Sequence, residues 1–539
     1  MWWITALHVC LLLGYSILAP TYRAPDEPEH VDLAHLFATT GDYPRWDGRD
    51  LSPGIERTKD LVRFDAGSTN LTADEALPKD ERPAIDQLEQ PPMPTRVNQQ
   101  PQHPPLYYVM AGGVERLAEV VTGDPSYDLE VWIYRLVSIL FVAPLPLIVW
   151  GTARLVGLPQ ALGIAATLFS LAIPQLAHIG SVVNNDSLLL LVFWLSTPVV
   201  IRLARGDLRP RVALLAGVLS GVALFTKGFA LVLPLWVVAG LLVALRRGGR
   251  SRLRPVVVAG ALYGTVALAL GGWWWLRNIV VFGDVMPTRY YQIDIIRATP
   301  RSSDDLGHFL HVWSYLSTRL FWGNFGWVDV SIPTLAWGLA TAVSVGALVL
   351  ACARADRAAG TVIGDRLLLL APLVLLMAIQ LVLCLRAYLQ HGLLAGMQGR
   401  YWYGGLVGVG ILIALGLGNL VQGRRGGQRW LPLGMLAAVA VMQGIGISTM
   451  LGHYWGAPDA GPVDRVRAVV AWAPLPGELI AIGAVVAVVA AAGAAIAIVR
   501  PSGAPAEPLP AEPPEDRSDG SAGPDGSGAV AAAGLSRTG

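Results

Sequence analysis

Long apolar runs recur along this chain, separated by short segments rich in arginine or acids. They lie at 3–20, 130–153, 161–180, 186–203, 212–226, 229–245, 256–276, 333–352, 367–385, 402–421, 431–450 and 476–499. Runs of this length cross about 30 Å of hydrocarbon as helices. Because a span must satisfy its own backbone hydrogen bonds, the pattern predicts an all-α polytopic membrane protein with about 12 transmembrane helices. The stretch 104–122 is also apolar, but Glu115, Arg116 and Glu119 interrupt it. Leu106, Met110, Val114, Leu117 and Val121 fall near one face, the pattern of an amphipathic helix lying on the membrane surface.

Charge orients these spans. Arginines crowd four short connections: Arg202, Arg205, Arg209 and Arg211; Arg246, Arg247, Arg250, Arg252 and Arg254; Arg354, Arg357 and Arg366; Arg424, Arg425 and Arg429. Twelve spans put all four on one side, which the positive-inside rule makes cytoplasmic, with both termini. A span at 104–122 would break that agreement. The expected organisation is a transmembrane domain over 1–500 and a disordered cytoplasmic tail over 501–539, whose Pro, Gly, Ala and Ser show no apolar period. Within the domain, 21–128 forms a large first outer loop with interfacial helices near 27–40 and 104–122, and 277–332 forms a second.

Composition agrees with this class. The 539 residues are 53% apolar and only 15% charged, with a mean hydropathy of +0.50, which excludes an ordinary soluble enzyme. The three cysteines, Cys10, Cys352 and Cys384, sit in apolar runs and give no disulfide framework or metal spacing. Lysine is nearly replaced by arginine, only Lys59, Lys79 and Lys227 remaining, as in GC-rich bacterial genomes.

The candidate chemistry gathers on the outer side. Pro25-Asp26-Glu27-Pro28-Glu29-His30 follows the first span, where acids at the bilayer boundary need a reason. His103 precedes the surface helix, Asn184, Asn185 and Asp186 form an outer turn, and Lys227 occupies the next one. Arg277 and Asn278 follow three tryptophans, and Arg400 and Tyr401 open a later span. Lys227, Arg277 and Arg400 run against the positive-inside bias, and a phosphate ligand would explain three such cations together. The competing reading of Asp26 is a helix N-cap, with Glu29 three residues on and Gly41 ending the helix. Asn184 to Asp186 reads equally as a turn, and Gly323, Gly326 and Trp327 read as packing or interfacial anchoring.

Taken in order, the acidic motif, His103-Pro104-Pro105-Leu106-Tyr107-Tyr108, Asn184-Asn185-Asp186-Ser187, Thr226-Lys227, Arg277-Asn278 with Phe282-Gly283-Asp284, and Gln398-Gly399-Arg400-Tyr401 resemble the GT-C superfamily of membrane glycosyltransferases. That superfamily includes protein O-mannosyltransferases and the aminoarabinose transferase of lipid A. The motifs resemble more narrowly an uncharacterised family of bacterial polytopic proteins beside it, over roughly residues 1–455. The resemblance implies an inverting glycosyltransferase of the bacterial plasma membrane. It would use a polyprenyl-phosphate-sugar donor and a glycan, lipid or protein acceptor on the extracytoplasmic face. The catalytic acids would be Asp26 and Glu27. His30, His103, Tyr107, Asn185, Asp186, Lys227, Arg277, Asn278, Arg400 and Tyr401 would contact substrate. No metal ligands are assigned, although a divalent cation is compatible with the superfamily. The other classes the sequence allows are a transporter or flippase of a lipid-linked glycan, and a noncatalytic membrane partner of a glycosyltransferase.

Overall fold

The computed structural model describes residues 1–64, 69–88, 96–288, 305–353, 363–421 and 427–499. The expected tail at 501–539 lies outside them, as do Arg354, Arg357, Arg424 and Arg425. The chain begins with α1 (Trp2–Leu18), then α2 (Glu27–Thr40) and α3 (Pro53–Leu61), and α4 (Leu106–Thr122). Next come α5 (Tyr127–Val142), α6 (Leu145–Leu155), α7 (Gln160–Leu171), α8 (Pro174–Ile179), α9 (Asp186–Ala204) and α10 (Pro210–Leu224). The chain continues with α11 (Leu233–Gly248), α12 (Leu253–Ala267) and α13 (Trp273–Phe282). After α14 (Leu306–Trp322) and the short hairpin β1 (Asn324–Phe325) and β2 (Val330–Ser331) come α15 (Thr334–Ala353), α16 (Ile363–His391) and α17 (Leu406–Val421). The described chain ends with α18 (Gly427–Tyr454), α19 (Pro462–Trp472) and α20 (Gly477–Val499).

Among the described residues, eight helical stretches are long and apolar enough to cross a membrane, and α1, α7 and α10 are shorter apolar helices. One of the eight, Gly228–Phe282, is 55 residues long. It folds back at Gly249, whose φ of 63° ends α11 before α12 packs against α10. Counted as two, it brings the total to the twelve expected from the apolar runs. Two expected spans are interrupted: 130–153 at Ala143 and Pro144, between α5 and α6, and 161–180 between α7 and α8. Ile173 is extended and Pro174 starts α8 afresh, because proline supplies no amide hydrogen to continue α7.

Packing reverses the usual amphipathic arrangement at α4. Val114, Leu117, Val120 and Val121 face outward, whereas Glu115 is buried together with Tyr107 and Tyr108. An apolar exterior over a polar interior fits a helix bordered by lipid. Gly112 lets α4 lie against α2, since a Cβ there would come within 2.6 Å of the Ala34 carbonyl oxygen. At the far end of α2, Gly41 terminates the helix at φ 77° as the sequence predicts. The first and last helices also meet: Trp3 of α1 packs on Gly493 of α20, where a Cβ would lie 2.4 Å from the indole. Trp327, read as packing or anchoring, donates its indole N–H to the Tyr22 carbonyl at 3.1 Å.

Candidate functional site

Helix α2 organises the segment between α1 and α4 through its polar side chains. Glu27, wholly buried, accepts Arg135 Nε at 2.8 Å and Nη2 at 2.7 Å, and the Val183 amide at 3.1 Å. Asp32 accepts Arg49 through two hydrogen bonds, together with the Ser52 amide and Asn98. The two ring nitrogens of His35 meet Glu130 at 2.8 Å and Asp86 at 3.0 Å. Burial alone would lower the His35 pKa, but these two carboxylates outweigh it and hold the imidazolium to about 11. Roughly the first two and a half turns of α2 therefore fasten it to α5, to the turn before α9 and to the loop strands around residues 49 and 98.

Asp26 is different. It occupies the N-cap position at φ 60°, yet its side chain makes no capping bond. The carboxylate instead accepts Gln99 Nε2 at 3.1 Å and lies 3.7 Å from Arg400 Nη2. Left-handed backbone is costly for a residue with a Cβ, and here it turns the carboxylate away from the helix end. The group is crowded by protein but its side chain is still 24% exposed. Burial raises its pKa, against the pull of Arg400 and Lys227. Glu29, one turn on, has a buried Oε2 without a partner among the described residues, and burial, with Asp26 nearby, pushes it up to about 8.

Asp186, Lys227 and Arg400 complete the cluster. Lys227 Nζ donates to Asp186 Oδ1 at 2.6 Å, and Arg400 Nε lies 3.5 Å from Asp186 Oδ2 without a hydrogen bond. Both cations lie over the Tyr401 ring, 5.3 and 5.4 Å from its centroid. His30 Nδ1 meets the Tyr108 hydroxyl at 2.9 Å, and Asn185 Nδ2 donates to that hydroxyl at 3.4 Å. His103 Nδ1 and Asn185 Oδ1 are buried with no partner among the described residues. Burial, and Lys227 behind it, lower both histidines, His103 to about 3, so neither adds positive charge at neutral pH. Buried polar atoms are normally paired. The concentration of unpaired donors and acceptors here, beside two carboxylates and two cations, makes this cluster the candidate site for a polar ligand.

The structure thus brings together Asp26, His30, His103, Asn185, Asp186, Lys227, Arg400 and Tyr401. It does not bring in the other candidates. Glu27 is spent on Arg135, which leaves it a structural anchor. Tyr107 bonds Ser138 at 2.8 Å and accepts the Asn184 amide, so the neighbouring Tyr108 is the tyrosine at the site. Asn184 is the turn residue of its motif, bonding the Ile179 and Val182 carbonyls and Ser187. Arg277 does not join Lys227 and Arg400. It stacks on Trp274 and Phe282, each centroid 5.1 Å away, in an adjacent cleft, while Asn278 holds the Val285 carbonyl at 3.1 Å. Sequence reading missed Arg135 and Gln99, whose only signal was polarity, in an apolar run for one and in a loop for the other. It noted Glu29 within the acidic motif and as a capping acid, without a role at the site.

The fold and this boundary cluster define an all-helical, multi-pass membrane protein. Residues 9–409 match the family model described as "Predicted membrane protein (DUF2142)", so the chain belongs to that family. No curated protein matches it. Among solved structures, it is similar to ArnT from Cupriavidus metallidurans in the apo state, at 13% identity and TM-score 0.41, covering 91% of this chain and 76% of that one. It is also similar to ArnT from the same organism bound to undecaprenyl phosphate, at 13% identity and TM-score 0.32, covering 90% and 87%. Similarity at that level supports no argument about chemistry, which rests on the site itself.

Proposed function

We propose that this protein transfers a glycosyl group from a polyprenyl-phosphate carrier to an acceptor on the extracytoplasmic face, with inversion. Asp26 is the base. Its carboxylate takes the proton of the acceptor hydroxyl or amine as that atom bonds the anomeric carbon, while the bond from that carbon to the carrier phosphate breaks. The departing phosphate gains negative charge, which Lys227 and Arg400 neutralise from beneath. Glu29, held up to about 8, is mostly protonated at neutral pH, which leaves the base role to Asp26. The observation that carries this reading is the Asp26 side chain. It does not cap its helix, and it faces a buried pair of cations flanked by unpartnered polar atoms. The ordered GT-C-like motifs name the same residues.

The test is mass spectrometry of polyprenyl-linked sugars in cells lacking the protein, complemented with wild type or Asp26→Asn at matched membrane abundance. One lipid-phosphate-sugar should accumulate in the deletion and in the Asp26→Asn strain. Loss of a general base typically costs about 10²–10⁴ in rate, enough to make the two strains alike. An Asp26→Asn strain with a wild-type lipid profile would overturn the assignment.

A further inference from the structure

Beside the carboxylate cluster lies a cleft of about 360 Å³ walled by Tyr43, Arg45, Trp46, Trp274, Arg277 and Phe282. Its volume falls in the range of small-ligand sites, about 300–1,000 Å³. Two arginines share one aromatic ring here: Arg45 lies 5.3 Å and Arg277 5.1 Å from the Phe282 centroid. A guanidinium stacked on a ring uses its face and keeps its in-plane N–H donors for a planar or tetrahedral anion. Arg45 already binds Asp47, at 2.6 Å. Arg277 has no carboxylate partner among the described residues, only the Asn278 amide oxygen at 3.3 Å. The Trp274 indole N–H is buried and also lacks a described partner. Trp46, Trp274 and Tyr43 add flat aromatic surface of the kind on which the apolar face of a pyranose ring rests.

The cleft and the cluster share a wall. In the short segment 99–102, Gln99 donates to Asp26 while Pro101 and Gln102 line the cleft. Tyr43 also touches both sides, lining the cleft, stacking on Tyr108 and donating to the His103 carbonyl at 2.8 Å. One short segment therefore borders the cleft on one side and holds the base on the other.

We infer that the cleft is a saccharide subsite selective for glycans bearing a phosphate or carboxylate, and that its occupant is the acceptor. The assignment of the occupant as acceptor rests on the transferase reading above. Arg277 supplies the charge selectivity and Trp274 the stacking surface. The donor phosphate belongs to the separate pair Lys227 and Arg400.

Saturation-transfer NMR on the full chain in lipid nanodiscs tests this with maltose 1-phosphate, a glucuronic acid–N-acetylglucosamine disaccharide, maltose, and undecaprenyl phosphate as probes. At least one anionic disaccharide should bind in preference to maltose. Arg277→Ala should weaken it about tenfold, the effect of losing one charge-assisted hydrogen bond, and Arg277→Lys should restore part of the loss. Trp274→Ala should weaken anionic and neutral sugars alike. Retained undecaprenyl phosphate binding in these variants reports an intact fold. Equal binding of maltose, no saccharide binding, or loss of undecaprenyl phosphate alone in Arg277→Ala would each overturn the inference, the last by giving the cleft to the carrier. Asp26→Asn separates the two proposals. Saccharide binding in a wild type that transfers nothing removes the transferase reading and leaves the subsite; transfer without saccharide binding does the reverse.

Discussion

Six acids and histidines between Asp26 and His35 look alike in sequence, and the structure divides them by what each side chain can reach. Glu27, Asp32 and His35 are consumed by Arg135, Arg49 and Glu130, whereas Asp26 and Glu29 keep oxygens unspent. That division was not legible, because the partners come from positions as distant as 108 residues along the chain. It gives two expectations. Glu27→Gln leaves the buried Arg135 charge without its counterion and should cost about 3–5 kcal/mol of stability, read as a lowered unfolding midpoint in detergent; an unchanged midpoint would remove its anchoring role. Asp26 should appear as the acid limb of kcat/KM, since activity falls as pH drops through its raised pKa. Arg400 opposes that rise, so Arg400→Gln should move the limb to higher pH as well as slow transfer. A limb that stays in place would show that Arg400 does not act on Asp26.

At the scale of elements, the spans were legible because a run of apolar residues has few alternatives to a membrane helix. The breaks at Ala143 and Ile173 each fall before a proline inside an apolar run, where composition hides geometry. The helix α4 was legible as an element, but its contact with α2 was not. That contact depends on Gly112, which nothing marks as different from Gly113 until the Ala34 carbonyl is seen against it. Gly112→Ala should push α2 off α4 at about 1–3 kcal/mol and displace Asp26 with it. Transfer should drop more than stability does, whereas Gly113→Ala, with open space around its Cβ position, should leave both unchanged. Equal behaviour of the two variants would refute the close approach.

For the whole molecule, the two ends of α9 hold the two kinds of polar chemistry. Asp186 opens it among Lys227 and Arg400, and Arg205 closes it on Asp365, which also takes Arg247. Nineteen residues of helix put these clusters about 28 Å apart, so three arginine-rich connections converge at the end opposite the candidate site. We expect that end to be cytoplasmic. In a background with its three cysteines replaced, Asp124→Cys should react with an impermeant maleimide in intact spheroplasts, and Ser251→Cys only after permeabilisation. The reverse result would invert the topology.

The contact between Trp3 and Gly493 has a consequence for biogenesis. Translation delivers α1 to the bilayer long before α20, so the flank of α1 that meets α20 stays uncovered until α20 is made. A nascent chain stalled before α20 can present every side chain of the carboxylate cluster and still lack the cover over Trp3. Arrival of α20 then seats Gly493 against that indole, which keeps 46% of its surface open even in the folded bundle.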